Sequence, residues 1–311
     1  MSRSVAILGL GLIGGSLLRR LGAAGQPGYD ADPETRDAAR AAGFTVADTV
    51  AEAVRMADLV IVAVPLPAMP GLLAEVGKAA RPGTLLTDMA SVKGPVAELV
   101  AGPVRFVGGH PMAGTEKSGF AAADPQLFDG AVWVLCLEEE TDLAGWLELA
   151  ALVTSIGARV LPTTSEAHDA AVARISHLPH LLAAALTQVA DEPLARSLAA
   201  GSFRDGTRVA GTRPELSTAM CRGNRNALRL ALAEAVQKLT EAGEALDRDD
   251  LEPFFRAGYD LRSSWPVADT EPVTLDPTSA TLRTELLALG GTGGWLTSVG
   301  NGSLEGRRPR P

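Results

Sequence analysis

The sequence predicts an α/β fold in which a doubly wound, mostly parallel sheet is followed by an all-α domain. In residues 1–162, short apolar runs alternate with helical stretches, and several of these runs are continuously apolar, as in strands that are covered on both faces. From about residue 163, the strand-like runs disappear and alanine- and leucine-rich patterns with helical spacing take over. The alternation is typical of a doubly wound sheet, and the helical remainder indicates a second domain.

The elements follow in order along the chain. In the first domain we predict strands at 4–8, 27–30, 59–63, 84–88, 104–108, 131–137 and 159–161, and helices at 13–23, 33–42, 69–80 and 142–156. In the second domain, 163–265, we predict helices at 181–190, 194–202 and 224–245. Residues 266–311 are rich in proline and glycine, so we expect them to form a disordered tail.

Composition narrows the class of protein. The chain has 311 residues and a formal net charge of -9, which argues against a nucleic acid or an anionic membrane as partner. No run approaches the ~18 consecutive apolar residues of a membrane span. The two cysteines, Cys136 and Cys221, have neither a disulfide framework nor zinc spacing, which favours the cytoplasm. The apolar start could imitate a signal peptide, but its glycines are regularly spaced and Arg19 and Arg20 stand at the expected cleavage position.

A glycine-rich turn follows the first predicted strand and opens the first predicted helix. In the sequence GLGLIGGS, Gly9, Gly11 and Gly14 fit the pattern G-x-G-x-x-G of the Rossmann dinucleotide-binding fold. The first glycine permits a tight turn, the second permits close approach of the pyrophosphate, and the third permits helix–strand packing. Leu12 and Ile13 lie within this predicted cofactor-binding turn.

Two further residues are candidates for the cofactor site. Asp30 ends the second predicted strand, where a carboxylate binds the ribose 2′-hydroxyl and repels a 2′-phosphate, so NAD is favoured over NADP. The alternative is that Asp30 caps the helix that begins near Pro33. Pro65 follows the strand at 59–63, at the edge of the sheet where ligands bind, or it simply ends that strand.

His110 is the candidate general base. It stands in GGHPMAGTEKSG just after a predicted strand, where the glycines allow close backbone approach. A histidine there can take the proton of a substrate hydroxyl as hydride leaves. Ser91, in DMASVKG at the end of another strand, can fix the tautomer of His110 or cap a helix at 92–100. His110 as a simple turn or core residue is the alternative.

The other histidines allow several interpretations. His177 and His180 in ISHLPHLL share a helical face, and they can form a metal pair joined by His168, cap a helix or recognise substrate. No carboxylate or thiolate cluster accompanies them, so we predict no metal. Arg208, between helices, can hold a carboxylate with two parallel hydrogen bonds or be a solvated surface residue.

The chain resembles the prephenate/arogenate dehydrogenase family. The pieces that match, in family order and over about residues 5 to 260, are GLGLIGGS, DMASVKG, GGHPMAGTEKSG, HD at 168–169, ISHLPH and FRDGTRVA. The resemblance implies that His110 is the catalytic base on the ring 4-hydroxyl, that Ser91 orients it, and that Arg208 holds the ring carboxylate. It also implies a substrate pocket and a helical domain that forms a homodimer; the implied pocket residues are Thr115, Glu116, Ser176, His177 and His180.

The expected reaction is the NAD-dependent oxidative decarboxylation of prephenate to 4-hydroxyphenylpyruvate, in tyrosine biosynthesis. Arogenate, which would give tyrosine, is the alternative substrate, and Glu116 could assist its ammonium group. A β-hydroxyacid or imino-acid dehydrogenase, a non-catalytic NAD-binding module and a metal hydrolase are the rival functions. The first of these usually has a lysine base on a helix of the second domain, where this chain has only Lys238.

Overall fold

The structure is a computed structural model that describes residues 4–22, 27–115, 117–266, 268–300 and 302–310. It contains two compact units. The first unit consists of Met1–His168 together with Thr270–Pro311, and the second is Asp169–Asp269.

A parallel sheet of five described strands forms the centre of the first unit, in the order β2-β1-β3-β4-β5. The strands are β1 (Val5–Leu8), β2 (Gly28–Tyr29), β3 (Leu59–Val62), β4 (Leu85–Asp88) and β5 (Arg105–Val107). Side chains that alternate along a strand enter two different cores, with Ile7 and Ile61 on one face and Leu8 and Val60 on the other. This double burial explains why β1 and β3 are continuously apolar.

Helices connect these strands. They are α1 (Leu12–Leu21), α2 (Pro33–Ala41), α3 (Val50–Val54), α4 (Met69–Ala79), α5 (Gly94–Ala97) and α6 (Leu143–Ser155). The strand order reverses between β1 and β3, and in open α/β sheets ligands bind beyond the carboxyl ends of the strands at such a reversal. The carboxylate of Asp32 caps α2 by accepting hydrogen bonds from the amides of Glu34 and Thr35. The capping role that was the alternative for Asp30 therefore belongs to Asp32.

A second, mixed sheet of six described strands completes the first unit. Its members are β6 (Gly109–Pro111), β7 (Val132–Cys136), β8 (Arg159–Thr163), β9 (Thr270–Leu275), β10 (Trp295–Val299) and β11 (Leu304–Pro309). Their order is β6-β7-β8-β10-β11-β9, and β7–β8 is the parallel pair among them. His110 was expected just after a strand, but it is the middle residue of β6 and lies opposite Val134, because the chain passes at Gly108 from the first sheet into the second.

The second unit is helical, as predicted. Its elements are α7 (Ser165–Val172), which begins in the first unit, a π-helical turn (Ala173–His177), α8 (Leu178–Val189), α9 (Pro193–Leu198), α10 (Gly201–Thr207), a 3-10 turn (Arg208–Gly211), α11 (Pro214–Gly223), α12 (Arg225–Asp247) and α13 (Glu252–Ser263). The buried core within this unit is small and is formed by Ala173, Leu228 and Ala231.

The expected disordered tail is folded, so this prediction was wrong. The described residues between 270 and 309 include β9, β10, β11 and a helix, α14 (Leu282–Gly291). Leu282, Leu286 and Leu289 recur at steps of four and three residues and are buried in the main core, which stabilises the helix. Gly290 serves close packing, since a Cβ atom there would lie 1.6 Å from the carbonyl oxygen of Pro162.

Candidate active site

The three glycines of the first turn have three different environments. Gly9 has a φ of 96°, and a Cβ atom there would lie 2.4 Å from the carbonyl oxygen of Ala63. A Cβ atom on Gly14 would lie 1.9 Å from the carbonyl oxygen of Gly9, so this position needs glycine for packing. No atom lies within 4 Å of the position that a Cβ atom on Gly11 would occupy. The first and third glycines shape the turn, and the second leaves open space in front of it.

This open space fits a dinucleotide. Leu12 and Ile13 form the first turn of α1, whose amino end supplies backbone amides and a positive dipole to a phosphate. Oδ2 of Asp30 accepts a hydrogen bond of 2.7 Å from the amide of Leu10, so the carboxylate lies against the glycine turn. Pro65 follows β3 and is exposed at the start of a 3-10 turn. The predicted cofactor residues are thus gathered around the carboxyl ends of β1, β2 and β3.

His110 is paired with another histidine. Its Nδ1 lies 2.9 Å from Nε2 of His168, and the two ring planes are inclined by 77°. His168 lies on α7 and is only 3% exposed. Ser91 was a candidate to fix the tautomer of His110 through one of its ring nitrogens, but the residue next to Nδ1 in the structure is His168. That Ser91 also orients His110 stays a prediction.

A buried ion pair braces the backbone next to His110. The carboxylate of Asp88, at the end of β4, forms an ion pair with Lys93, and both side chains are almost fully buried. Nζ of Lys93 also donates a hydrogen bond of 2.6 Å to the carbonyl oxygen of Gly109. Burial raises the pKa of Asp88 above its ordinary value, although the charge of Lys93 and its hydrogen bond act in the opposite direction. The ammonium group thus joins the loop after β4 to the strand of His110.

The remaining candidates in the first unit are Ser91, Thr115 and Glu116. Ser91 is partly buried between Asp88 and Lys93, and it does not cap the following helix, since α5 begins after Lys93. Thr115 is exposed, and its Oγ1 accepts a hydrogen bond from the amide of Lys117. Glu116 lies outside the described residues, so its predicted role stays a prediction.

In the second unit, His177 is a core residue. It is completely buried at the end of the π-helical turn, and its Nδ1 lies 3.1 Å from Nδ2 of Asn224. The same amide nitrogen donates a hydrogen bond of 2.7 Å to the carbonyl oxygen of Asp169. These contacts favour a structural role for His177. Ser176, one residue earlier, is partly exposed.

His180 lies at a cavity of the second unit, and the charge of Arg208 acts on its ring. The cavity has a volume of about 580 Å³, and its lining includes His180, Ser217, Arg222 and Arg225. Burial lowers the pKa of His180, and the positive charge of Arg208 lowers it further. His180 is therefore held toward its neutral form, beside a cavity whose charged lining residues are arginines.

Comparison with known proteins identifies the family. Residues 15–162 match the family described as "Prephenate dehydrogenase, nucleotide-binding domain", and residues 164–257 match "Prephenate dehydrogenase, dimerization domain". The prephenate dehydrogenase of Lactococcus lactis is 32% identical over 286 residues, which are 85% of this chain and 78% of the relative.

Solved structures agree with this match. One from Corynebacterium glutamicum is 40% identical and covers 94% of this chain and 98% of its own, with a TM-score of 0.87. The prephenate dehydrogenase of Aquifex aeolicus, solved in complex with hydroxyphenyl propionate and NAD+, is 26% identical and covers 85% of this chain and 97% of its own, with a TM-score of 0.77.

The chain belongs to the prephenate dehydrogenase family. The predicted resemblance and the predicted fold class are confirmed. Within this family framework, His110 and Ser91 fall in the nucleotide-binding match, and His180 and Arg208 fall in the dimerization match. Gly9, Gly11 and Gly14 directly precede the first match, so their assignment depends on the geometry of the turn.

Sequence reasoning missed three residues that lie next to the predicted site residues of this prephenate dehydrogenase family member. Asp88 received no role, although an acid and a lysine five residues apart in an otherwise uncharged stretch are a signal for a buried pair. Asn224 was treated as the start of a helix and not as a partner of His177. His168 was weighed as a metal ligand, and its contact with His110 carries no local sequence signal.

Two further properties concern the described residues alone. Nowhere in them do three or more His, Cys, Asp or Glu side chains form a group able to hold a metal ion. None of their helices combines the length and the apolar composition that crossing a membrane requires.

Proposed function

We propose that this protein oxidatively decarboxylates prephenate to 4-hydroxyphenylpyruvate with reduction of NAD. The observation that carries the proposal is that one compact unit contains both the open glycine turn and a histidine whose Nδ1 is engaged by another residue. Family membership supports the same reaction, as does the NAD+ in the related structure from Aquifex aeolicus.

The residues that would hold NAD are those around the glycine turn. The backbone at Gly11 allows the pyrophosphate to approach, the amino end of α1 supplies amide donors, and Asp30 binds the ribose 2′-hydroxyl. NAD bound there would supply the acceptor for the hydride that leaves C4 of the substrate ring. The carboxylate of Asp30 repels a 2′-phosphate, which favours NAD over NADP.

His110 handles the proton of this reaction. Because Nδ1 is occupied by His168, the proton of the 4-hydroxyl passes to Nε2. The ring becomes aromatic when its carboxylate leaves C1 as carbon dioxide, and the electrons of that bond would leave a phenolate. The proton on His110 then returns to the phenolate oxygen, so the overall reaction releases no proton to solvent.

The second unit supplies the predicted substrate contacts. Arg208 holds the ring carboxylate by a charge-assisted hydrogen bond, and His180, with Ser176, binds near the side chain of the substrate. Arg222 and Arg225 line the cavity beside His180, which favours the dianion prephenate over arogenate with its ammonium group. Thr115 and Glu116 are the remaining residues that we propose to contact the substrate.

The assembly is proposed to be a homodimer. The second unit has only a small core of its own, while Val189 and Leu198 are 85% and 72% exposed. Apolar helix faces of this kind are covered when two copies associate, and the family match to a dimerization domain supports this. We further propose a cytoplasmic protein without a nucleic-acid partner, as its acidic charge and two free cysteines suggest.

The test is the substitution His110→Asn. We expect kcat for prephenate-dependent NADH formation to fall roughly 10²–10⁴-fold, while the Kd of NAD stays at the parental value. Turnover near the parental rate would remove His110 from the base role. Comparing kcat/KM for prephenate and arogenate in the parent enzyme tests the substrate assignment, since a preference for arogenate contradicts it.

A further inference from the structure

His168 is a buried histidine in direct contact with the proposed base. The distance of 2.9 Å between its Nε2 and Nδ1 of His110 is that of a hydrogen bond between two ring nitrogens. Such a bond contains one proton, so one nitrogen donates and the other accepts. Which of the two donates decides the chemistry available to His110.

The two arrangements have opposite consequences. If His168 donates, the proton of neutral His110 lies on Nε2, which then has no lone pair to accept the proton of a substrate. If His168 accepts, the proton of neutral His110 lies on Nδ1, and Nε2 presents a lone pair. Proton abstraction from a substrate hydroxyl needs the second arrangement.

We propose that His168 is a positioning residue that accepts the Nδ1 proton of His110 and thereby holds the base in its reactive tautomer. This inference rests on the proposed function. When His110 takes the substrate proton on Nε2, its Nδ1–H stays hydrogen-bonded to neutral His168, and this hydrogen bond becomes charge-assisted. His168 remains neutral during this step, because two imidazolium rings at this distance repel each other.

The start of α7 holds His168 firmly in place. The hydroxyl of Thr164 accepts a hydrogen bond from the amide of Ala167, and the amide of His168 donates to the carbonyl oxygen of Thr164. The amide of Ser165 donates a hydrogen bond of 2.6 Å to Oε1 of Glu138. A side chain on such a fixed helix turn, 3% exposed, can set the orientation of a neighbouring ring.

Two amide substitutions of different length test the contact. In His168→Gln, the side-chain oxygen reaches the position of Nε2 and still accepts a hydrogen bond, whereas in His168→Asn it is one bond shorter. We expect His168→Gln to keep kcat within about threefold of the parent, and His168→Asn to lower it roughly 10- to 100-fold with little change in the KM of NAD. If His168→Gln and His168→Asn are both folded and have the same kcat, whether parental or reduced, the inference is overturned.

A direct observation of the tautomer keeps the test independent of activity and of the stability of the variants. The chain has four histidines, so ring-nitrogen NMR of protein labelled with ¹⁵N-histidine gives few signals, and those of His110 are assigned by their loss in His110→Asn. We expect the parent protein to show Nδ1 of His110 protonated and Nε2 not. A neutral His110 with its proton on Nε2 would contradict the inference.

The failure of this inference differs from the failure of the proposed function. If the parent enzyme forms no NADH with prephenate or arogenate, the function is wrong, whatever the tautomer. If the parent is active and depends on His110 but is unaffected by His168→Asn, only the positioning role is wrong.

Discussion

The ammonium group of Lys93 donates a hydrogen bond to the carbonyl oxygen of Gly109, the residue directly before His110. Lys93 is 1% exposed and is also ion-paired with Asp88, which is completely buried. A buried charge of this kind is tolerated only when it is paired and hydrogen-bonded. The pair therefore couples the stability of the first unit to the placement of the proposed base.

Replacing Lys93 by Met should damage both stability and catalysis. The substitution leaves Asp88 buried without its counter-charge, which costs about 3–5 kcal/mol. It also removes the donor to Gly109, so we expect kcat to fall even under conditions where the variant is folded. Urea unfolding and initial rates at low temperature measure the two effects.

The matched control is Lys78→Met, which changes an exposed lysine of α4 in the same unit. We expect its free energy of unfolding to stay within about 0.5 kcal/mol of the parent. If Lys93→Met were as mild as this control, the buried pair would not brace the site.

Gly11 and Gly14 should respond differently to alanine. Gly14→Ala places a methyl group against the carbonyl oxygen of Gly9, and we expect a loss of about 3 kcal/mol or more in the free energy of unfolding. Gly11→Ala meets no protein atom, so the fold stays stable, but the methyl group occupies space that the pyrophosphate needs. We expect the Kd of NAD, measured by calorimetry, to rise at least tenfold, which is about 1.4 kcal/mol.

Gly71→Ala is the control for both, because this glycine of α4 also has no neighbour within 4 Å of a Cβ atom. Its NAD affinity should be unchanged and its stability equal or higher by about 0.5–1 kcal/mol. Parental NAD affinity in Gly11→Ala would place the dinucleotide elsewhere.

Asp30 should set the preference for NAD over NADP. In Asp30→Asn, an oxygen is kept for the amide of Leu10 but the negative charge is lost, so the repulsion of a 2′-phosphate disappears. We expect the ratio of kcat/KM for NAD to that for NADP to fall at least tenfold. Asp32→Asn, which alters only the cap of α2, should leave the ratio unchanged; a ratio unaffected by both substitutions would exclude Asp30 from the ribose site.

The exposed face of α12 should be part of the dimer interface. Val236 and Leu239 are 54% and 60% exposed on this helix, within the match to the dimerization domain. Glutamate at both positions would bury charge in an interface. We therefore expect the doubly substituted protein to be a monomer at micromolar concentration, as measured by light scattering. Met56→Glu changes an apolar side chain of similar exposure in the first unit and should leave the dimer intact. If the protein with glutamate at positions 236 and 239 is still a dimer, the interface lies elsewhere.

Features that depend on neighbouring residues in the sequence can be predicted here, whereas those that depend on contacts between distant residues cannot. The strands β1 and β3 and the glycine turn are recognisable because local periodicity and glycine spacing specify them. The contact between His110 and His168 joins residues 58 positions apart, and only the fold brings them together. In the last segment, the leucines at 282, 286 and 289 carried a helical signal, but the neighbouring glycines resembled those of a flexible tail.

His180 should make the stability of the protein depend on pH. Burial and, to a smaller extent, Arg208 hold the pKa of His180 below its ordinary value of 6.5 in the folded state, so between the two pKa values the unfolded chain binds more protons. The free energy of unfolding therefore decreases as the pH falls through about 6.5, and this decrease ends below the folded pKa.

His180→Gln removes the titrating group, so the variant should lose less stability than the parent between about pH 7.5 and pH 5.5. Arg208→Gln removes the smaller of the two causes and should give an intermediate slope. Urea unfolding at a fixed protomer concentration measures the three slopes, and identical slopes for the parent and His180→Gln would show that His180 is not held neutral by its surroundings.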